Sequence, residues 1–194
     1  MTMVRGFEPG PQPGGRAPAP GELGLVQAFV NTFWRPGDGT DMLARPADLR
    51  AWLWECGLPG AEGPVSAAQL AQALDLREGL RGLLYVNNGA TADPARQARL
   101  DAALDGLSVG IRLTGSGPEL APAGGGVDGA LGSLATAVAR AMLEGRFSRL
   151  KACPGPHCGW AFYDHSRNGG GRWCSMSICG SRVKARAYYR RRRP

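Results

Sequence analysis

Apolar residues in the first three quarters of the chain recur at the spacing of a helix. Val26, Phe29, Val30 and Phe33 stand at i, i+3, i+4 and i+7, which predicts an amphipathic helix that begins at Glu22. Similar stripes, bounded by residues that start or stop helices, predict four more helices. These four begin near Pro46, Ser66, Asp93 and Asp128.

A different pattern interrupts the helices between residues 109 and 121. Residues 109–114 alternate apolar and polar side chains, and residues 115–118 are turn formers, so a short β-hairpin is predicted. The last helix follows and is expected to run to about Phe147. Residues 21–148 are therefore predicted to form a mainly α domain with one small β-hairpin. Residues 1–20, which are rich in Pro and Gly, are predicted to be a disordered leader.

Four cysteines near the end of the chain form two pairs of identical spacing. Cys153 and Cys158 enclose four residues, Cys174 and Cys179 also enclose four, and fifteen residues separate the pairs. This spacing fits one structural Zn²⁺ held by four thiolates. Because so short a segment has few apolar residues, the ion is expected to supply most of its stability.

Residues 149–187 are predicted to form a small treble-clef-like α+β zinc finger. Trp160 and Phe162 alternate as on a strand, and residues 172–173 are the predicted partner strand. A helix is expected around the second cysteine pair, because the positive end of a helix dipole favours thiolate ligands. His157 and His165 are not expected to bind the metal, since four thiolates complete its coordination.

Positive charge is concentrated at the end of the chain. The net charge of +7 combines 11 Lys/Arg and 15 Asp/Glu in residues 1–145 with 12 Lys/Arg and one acidic residue in residues 146–194. This asymmetry predicts a polyanionic partner for the C-terminal part. Arg167 and Asn168, which precede three glycines, carry side chains that can bind guanine and adenine edges, although they can also hydrogen-bond within the module. Residues 188–194 are predicted to be a basic, phosphate-seeking tail. The candidate nucleic-acid contacts are Arg167, Asn168, Arg172, Arg182, Lys184, Arg186, Arg190, Arg191, Arg192 and Arg193.

No catalytic constellation is apparent in the sequence, which lacks paired carboxylates, a Ser-His-Asp set, a nucleotide-binding loop and an HExxH motif. The protein is therefore predicted not to be an enzyme. The fifth cysteine, Cys56, is predicted to be a buried apolar residue and not a nucleophile. No apolar run reaches the length of a membrane span and no signal-peptide pattern is present, so a cytoplasmic protein without a membrane partner is predicted.

The cysteine segment contains two extended motifs. They are Cys-x4-Cys-Gly-Trp-x-Phe-x-Asp-x-Ser-Arg-Asn from Cys153 to Asn168, and Arg-Trp-Cys-Ser-Met-x-x-Cys-Gly-x-Arg-x-Lys from Arg172 to Lys184. In both motifs the segment resembles the CGNR zinc finger. Ser181 stands where the family has its name-giving Asn. Upstream, residues 25–32 and 41–53 resemble the ABATE domain that usually precedes this finger. The resemblance implies a bacterial transcription regulator.

The sequence therefore favours a zinc-containing, DNA-binding transcriptional regulator whose N-terminal domain acts as a sensor or dimerisation unit. A homodimer and an unidentified small-molecule effector belong to this hypothesis. Asn31 and Trp34, at the end of the first helix, are candidates to line a ligand pocket, and a packed helix end is the alternative. An RNA-binding accessory protein and a zinc-stabilised protein–protein adaptor are the alternative functions, because a basic zinc module does not by itself select DNA.

Overall fold

The computed structural model of the protein describes residues 10–33, 39–58 and 62–192, with the backbone alone at residues 187 and 189–192. Within these ranges the chain forms six α-helices and two small antiparallel sheets. The predicted class, a mainly α domain with a small β-hairpin followed by a small α+β module, is confirmed.

All five helices predicted for the N-terminal domain are present. Their bounds are α1 Glu22–Val30, α2 Pro46–Glu55, α3 Ala67–Asn87, α4 Pro94–Asp105 and α5 Gly126–Leu143. The start of α3 forms a capping box. The Ser66 hydroxyl accepts a hydrogen bond from the Gln69 backbone N–H at 3.1 Å, and the Gln69 side chain accepts one from the Ser66 N–H at 3.1 Å.

Helix α5 differs from its prediction at both ends. It begins at Gly126, and Asp128 lies in its first turn, where the carboxylate accepts a hydrogen bond from Gln69 Nε2 at 3.2 Å instead of capping the helix. The helix ends at Leu143 and not near Phe147, because residue 145 adopts a left-handed conformation with φ of 69°.

The predicted hairpin consists of β1 (Val109–Thr114) and β2 (Gly117–Pro122). Strand β2 lies beside α5, where Arg140 Nη2 donates a hydrogen bond to Leu120 O at 2.9 Å. Strand β1 is the outer strand, and most of its residues are exposed. The hairpin is thus attached to the domain through β2.

The apolar core extends from the helices into the C-terminal module. Phe29 of α1 and Leu131 and Leu134 of α5 are fully buried at its centre. Leu150 and Ala161, which belong to the module, are buried in the same cluster. The two parts of the chain therefore share one hydrophobic core.

The module begins with a second sheet, made of β3 (Leu150–Ala152) and β4 (Ala161–Tyr163). This pairing corrects the prediction that residues 172–173 form the partner strand, since those residues are not extended in a sheet. The first cysteine turn reverses the chain on itself, with the Cys153 N–H bonded to Trp160 O at 2.9 Å. The segment before the turn therefore becomes the strand partner.

Two amide side chains, one in α1 and one directly after it, bind the backbone of β4. Asn31 Nδ2 donates a hydrogen bond to Ala161 O at 2.9 Å, and Asn31 Oδ1 accepts one from Ala161 N at 2.7 Å. Gln27 Nε2 donates to the same carbonyl at 3.1 Å. Both amides are buried, and buried polar groups require partners. These bonds therefore fix β4 against α1.

Side chains at the other face of the module come from α3 and the residue that follows it. They donate hydrogen bonds of 2.6 to 2.9 Å to backbone carbonyl oxygens of the module. The pairs are Arg81 with Gly159, Asn87 with Leu150, and Asn88 with Ala152. The module is thus held from two sides by the helical domain.

Residues 10–20 contact the module, which corrects the predicted disorder for this part of the leader; residues 1–9 lie outside the described residues. Arg16 donates hydrogen bonds to the carbonyl oxygens of Tyr163, Trp173 and Cys174, each at 3.2 Å. Ala19 is buried in the common core. Disorder is predicted because the segment has few apolar side chains. It is held instead mainly by polar contacts to the backbone of the C-terminal module.

We expect Asn31→Ala to lower the free energy of unfolding by roughly 1–3 kcal/mol, because it leaves the buried N–H of Ala161 without its side-chain acceptor and the C=O with Gln27 as its one remaining amide donor. Urea unfolding of the zinc-loaded protein would measure this. Asn168→Ala is the matched control, because Asn168 is exposed and should give the wild-type value. Equal stabilities of the two variants would contradict the role of Asn31.

Candidate metal centre and basic face

The four cysteines predicted to bind metal converge on one point. Their Sγ atoms all lie within 4.8 Å of one another, and all four residues are buried. The Sγ of Cys174 lies 3.7 Å from that of Cys158 and 3.6 Å from that of Cys179. A tetrahedral zinc with Zn–S bonds of about 2.3 Å separates its sulfurs by about 3.8 Å. The thiols are therefore spaced for one ion and too far apart for disulfides.

Local turns bring the two pairs together. The first pair lies on the turn between β3 and β4, and the second lies at a π-helical turn, Met176–Gly180, that continues into α6, Ser181–Arg192. Gly155 makes the first turn compact. A Cβ added there would lie 3.1 Å from Cys179 Sγ and 3.4 Å from Cys153 Sγ, so only glycine leaves the sulfurs their full space.

A cluster of four thiols resists full ionisation unless a cation is present, because hydrogen bonds from Cys158 and Cys174 lower the pKa of Cys153 but the pKa values of the other three thiols are raised. Hydrogen bonding to Cys153 and Cys158, followed by burial, raises the pKa of Cys174, and burial raises the pKa of Cys179. A coordinated metal reverses this effect by stabilising the thiolates. Four sulfur donors at tetrahedral spacing fit zinc. The protein therefore has one structural zinc site, formed by Cys153, Cys158, Cys174 and Cys179.

The two histidines lie outside this cluster. His165 Nε2 is 3.1 Å from Pro18 O, and its ring packs on Tyr163 with 4.8 Å between centroids. His157 is exposed beside Cys158. Four sulfur ligands fill a tetrahedral shell and leave no position for an activated water.

A buried ion pair holds the loop that follows β4. Lys151 Nζ lies 2.9 Å from Asp164 Oδ2 and also donates hydrogen bonds to Gly169 O and Gly171 O. Asp164 accepts further bonds from the N–H groups of Ser166 and Gly171. Burial alone would raise the pKa of Asp164, but the hydrogen bonds from Lys151 and these N–H groups outweigh it, and the pKa is lowered. The carboxylate is thus ionised and organises the loop around it.

The same loop carries Arg167 and Asn168 on its surface. Both side chains are exposed, and neither makes a hydrogen bond or ion pair with another described residue. Arg167 does not pair with Asp164, because Lys151 occupies that carboxylate. Arg149 also stabilises the loop, because its side chain donates hydrogen bonds to the carbonyl oxygens of residues 164 and 166.

The remaining candidate cations lie along the second half of the module. Four of them are exposed and form no ion pair within the described ranges, namely Arg172, Arg182, Lys184 and Arg186. Arg190, Arg191 and Arg192 continue the backbone of α6, and Arg193 lies outside the described residues. The start of the predicted basic tail is therefore helical.

Ser181, which stands where the CGNR resemblance has Asn, closes the π-helical turn. Its hydroxyl donates to Ser177 O at 2.6 Å and lies 3.2 Å from Ile178 O. This hydroxyl therefore stabilises the start of α6.

The end of α1 does not show the predicted ligand pocket at Asn31. Both polar atoms of that amide are bonded to Ala161, and the side chain is buried, so the amide holds β4 against α1. Trp34 lies outside the described residues.

Cys56 is 1% exposed, and burial raises its pKa to about 12, which confirms a buried apolar thiol.

Sequence reasoning missed three residues that shape the site. Lys151 and Asp164 fix the loop, and Arg16 binds the backbone beside the second cysteine pair. The sequence did contain a signal for the ion pair, because a single carboxylate among twelve cations in residues 146–194 is expected to pair with one of them. Arg16 gave no such signal.

Two family patterns cover almost the whole chain. Residues 149–192 match the CGNR zinc finger, and residues 23–145 match the family described as ABATE, "putative stress-induced transcription regulator". The second match alone spans more than half of the chain. The chain belongs to the ABATE family. The predicted order, an ABATE domain followed by a CGNR finger, is confirmed. No curated protein shows significant similarity to the chain.

The ABATE and CGNR families are regulator-like and zinc-binding by description, and neither is described as enzymatic. In the part of the chain that the structure describes, none of the helices combines the length and the apolar composition that crossing a membrane requires.

We expect Cys174→Ala to abolish stoichiometric zinc binding, because three thiolates cannot close the tetrahedral shell. Zinc finger peptides gain on the order of 10 kcal/mol from the metal. In this protein, however, β3 and β4 are anchored in the core of the ABATE domain. The variant should therefore lose the order of the cysteine turns and α6 but keep the ABATE helices.

Zinc per chain and backbone hydrogen exchange would measure both effects. Cys56→Ala is the control, since Cys56 lies outside the cluster and its replacement should leave one zinc per chain. One zinc retained by Cys174→Ala would contradict the assignment.

Proposed function

We propose that this ABATE protein is a DNA-binding transcriptional regulator and that its CGNR finger makes the nucleic-acid contacts. The observation that carries the proposal is a set of cations that have no anion of their own. Five such residues are exposed and unpaired within the described ranges: Arg167, Arg172, Arg182, Lys184 and Arg186. The one carboxylate of this region, Asp164, is buried against Lys151.

The basic residues of the finger divide into two groups by their partners. Arg149 and Lys151 bind loop carbonyls and Asp164, so their charge is used inside the fold. The exposed group binds nothing described in the chain. Unpaired cations on a rigid module favour an external polyanion, and the phosphate backbone of DNA is one.

The loop with Arg167 and Asn168 is the part suited to base contacts. Its backbone is fixed by Lys151 and Asp164, so little freedom is lost when its side chains bind. Arg and Asn are the residues that bind guanine and adenine edges with two hydrogen bonds. The cations of α6, together with Arg190 to Arg193, are assigned to phosphates.

The ABATE domain is assigned the role of sensor or dimerisation unit, and a cytoplasmic, nucleoid-associated location belongs to the same proposal. Binding of RNA and a purely protein-binding adaptor role are separate outcomes of the experiments below. An RNA-binding protein would prefer single strands or loops to duplex DNA. An adaptor would show no salt-dependent nucleic-acid binding.

We expect Arg167→Ala to change the sequence preference, at a cost of roughly 1–3 kcal/mol for each base pair that the side chain reads. Selection of bound sequences from a random duplex library, followed by titration of the selected site, measures this. Arg50→Ala is the matched control, because Arg50 is exposed on α2 and its replacement changes the net charge equally. Arg50→Ala should keep the wild-type preference.

If the full-length, zinc-loaded protein shows no salt-sensitive binding to any nucleic acid, the proposal fails and the adaptor role takes its place. Binding that single-stranded RNA competes away more strongly than duplex DNA would assign the finger to RNA.

Deletion of residues 190–194 should weaken binding to all duplex sequences about equally. The slope of log K against log salt concentration should become shallower by about 0.9 for every phosphate that the deleted arginines neutralise in the wild type. Titrations at several salt concentrations measure the slope, with Arg167→Ala compared in parallel. A deletion that changes the sequence preference but not the salt dependence would contradict the assignment of these residues to phosphates.

A further inference from the structure

Strand β1 of the ABATE domain carries an apolar row that the rest of the described chain leaves uncovered. Val109, Ile111 and Leu113 are 44%, 71% and 82% exposed. Because side chains alternate along a strand, these three lie on one face of the hairpin. Their partners in β2 lie on the same face and are also apolar: Pro122, Leu120 and Pro118.

The two edges of this hairpin differ. The outer edge of β2 lies beside α5, where Arg140 binds Leu120 O, and Pro118 and Pro122 have no N–H group to offer. On β1, no described residue outside the hairpin bonds to the backbone of residues 109–113, and the strand contains no proline. Strand β1 is therefore an open edge with an exposed apolar face, an arrangement that favours pairing with another strand.

We propose that β1 pairs antiparallel with β1 of a second copy of this chain, so that two hairpins form one four-stranded sheet across a two-fold axis. In a register centred on Ile111, this residue stands opposite its own counterpart and Val109 stands opposite the partner's Leu113. The apolar rows of the two copies then lie side by side and cover each other. The strand is thus complementary to itself.

The charges of the hairpin favour the same register. Arg112 stands opposite Glu119 within its own hairpin, so the polar face carries a balanced pair. With Ile111 at the two-fold axis, Arg112 stands opposite the partner's Gly110, which has no side chain to repel it. A register centred on Arg112 would instead set two guanidinium groups directly opposite each other.

Such an interface is short, because β1 has only six residues. We therefore expect a reversible dimer whose population rises with protein concentration. The interface uses residues 109–113 of the ABATE domain and none of the exposed cations of the finger. This proposal does not depend on the proposed DNA binding, because self-association is measured without nucleic acid.

The test is sedimentation velocity of the full-length, zinc-loaded protein over a wide concentration range. Wild type should show a monomer–dimer equilibrium. Ile111→Lys and Ile111→Glu should each raise the dimer dissociation constant by about tenfold or more, because like charges then meet at the axis. An equimolar mixture of the two variants should restore a dimer, since Lys then faces Glu.

The matched control is Trp54→Lys, which replaces another exposed apolar residue, on α2, and should dimerise as wild type does. Zinc content and circular dichroism show that each variant is folded. A monomeric wild type at all concentrations would overturn the proposal. So would a dimer that Ile111→Lys leaves unchanged, or a mixture of the two Ile111 variants that stays monomeric.

Discussion

The backbone of β4 must be satisfied inside the protein, and this requirement connects the zinc finger to the helical domain. A three-residue strand with one strand partner leaves backbone groups of a buried segment unpaired. Asn31 supplies both a donor and an acceptor to Ala161, and Gln27 adds a second donor. A buried backbone group without a hydrogen-bond partner destabilises the folded state. The finger therefore folds against α1 and is not an independent domain on a linker. The common hydrophobic core follows from the same placement.

Zinc stabilises the part of the finger that has too little apolar surface to form a core of its own. The cysteine turns and the loop after β4 have little apolar surface, and Phe162 is the one fully buried aromatic residue described in their cluster. The metal holds the turns, while Lys151 and Asp164 hold the loop. The basic side chains of the finger therefore fall into two groups. The cations with internal partners stabilise the fold, and those without partners remain for a polyanion.

The docked arrangement also bears on how the two domains can work together. Arg81 connects α3 to the carbonyl of Gly159, next to a zinc ligand, and Arg16 connects the segment before α1 to the second cysteine pair. The finger is therefore joined by direct hydrogen bonds to α3 and to the segment before α1. The exposed edge of β1 differs from the basic surface of the finger, because it is apolar and no described residue outside the hairpin bonds to it. It therefore suits association with a second copy better than nucleic-acid binding.

Local patterns in the sequence determined the helices, the β1–β2 hairpin and the four zinc ligands. Helical periodicity and capping act within a few residues, and the cysteine spacing encodes a metal geometry, so both can be found without the fold. The tertiary structure decided the pairing of β3 with β4, the order of residues 10–20, the Lys151–Asp164 ion pair and the use of Asn31 as a docking residue. Most of these interactions join a side chain to a distant backbone carbonyl or N–H. Nearly every residue carries a backbone carbonyl and an N–H group. The sequence therefore does not indicate which of these groups a given side chain will bind.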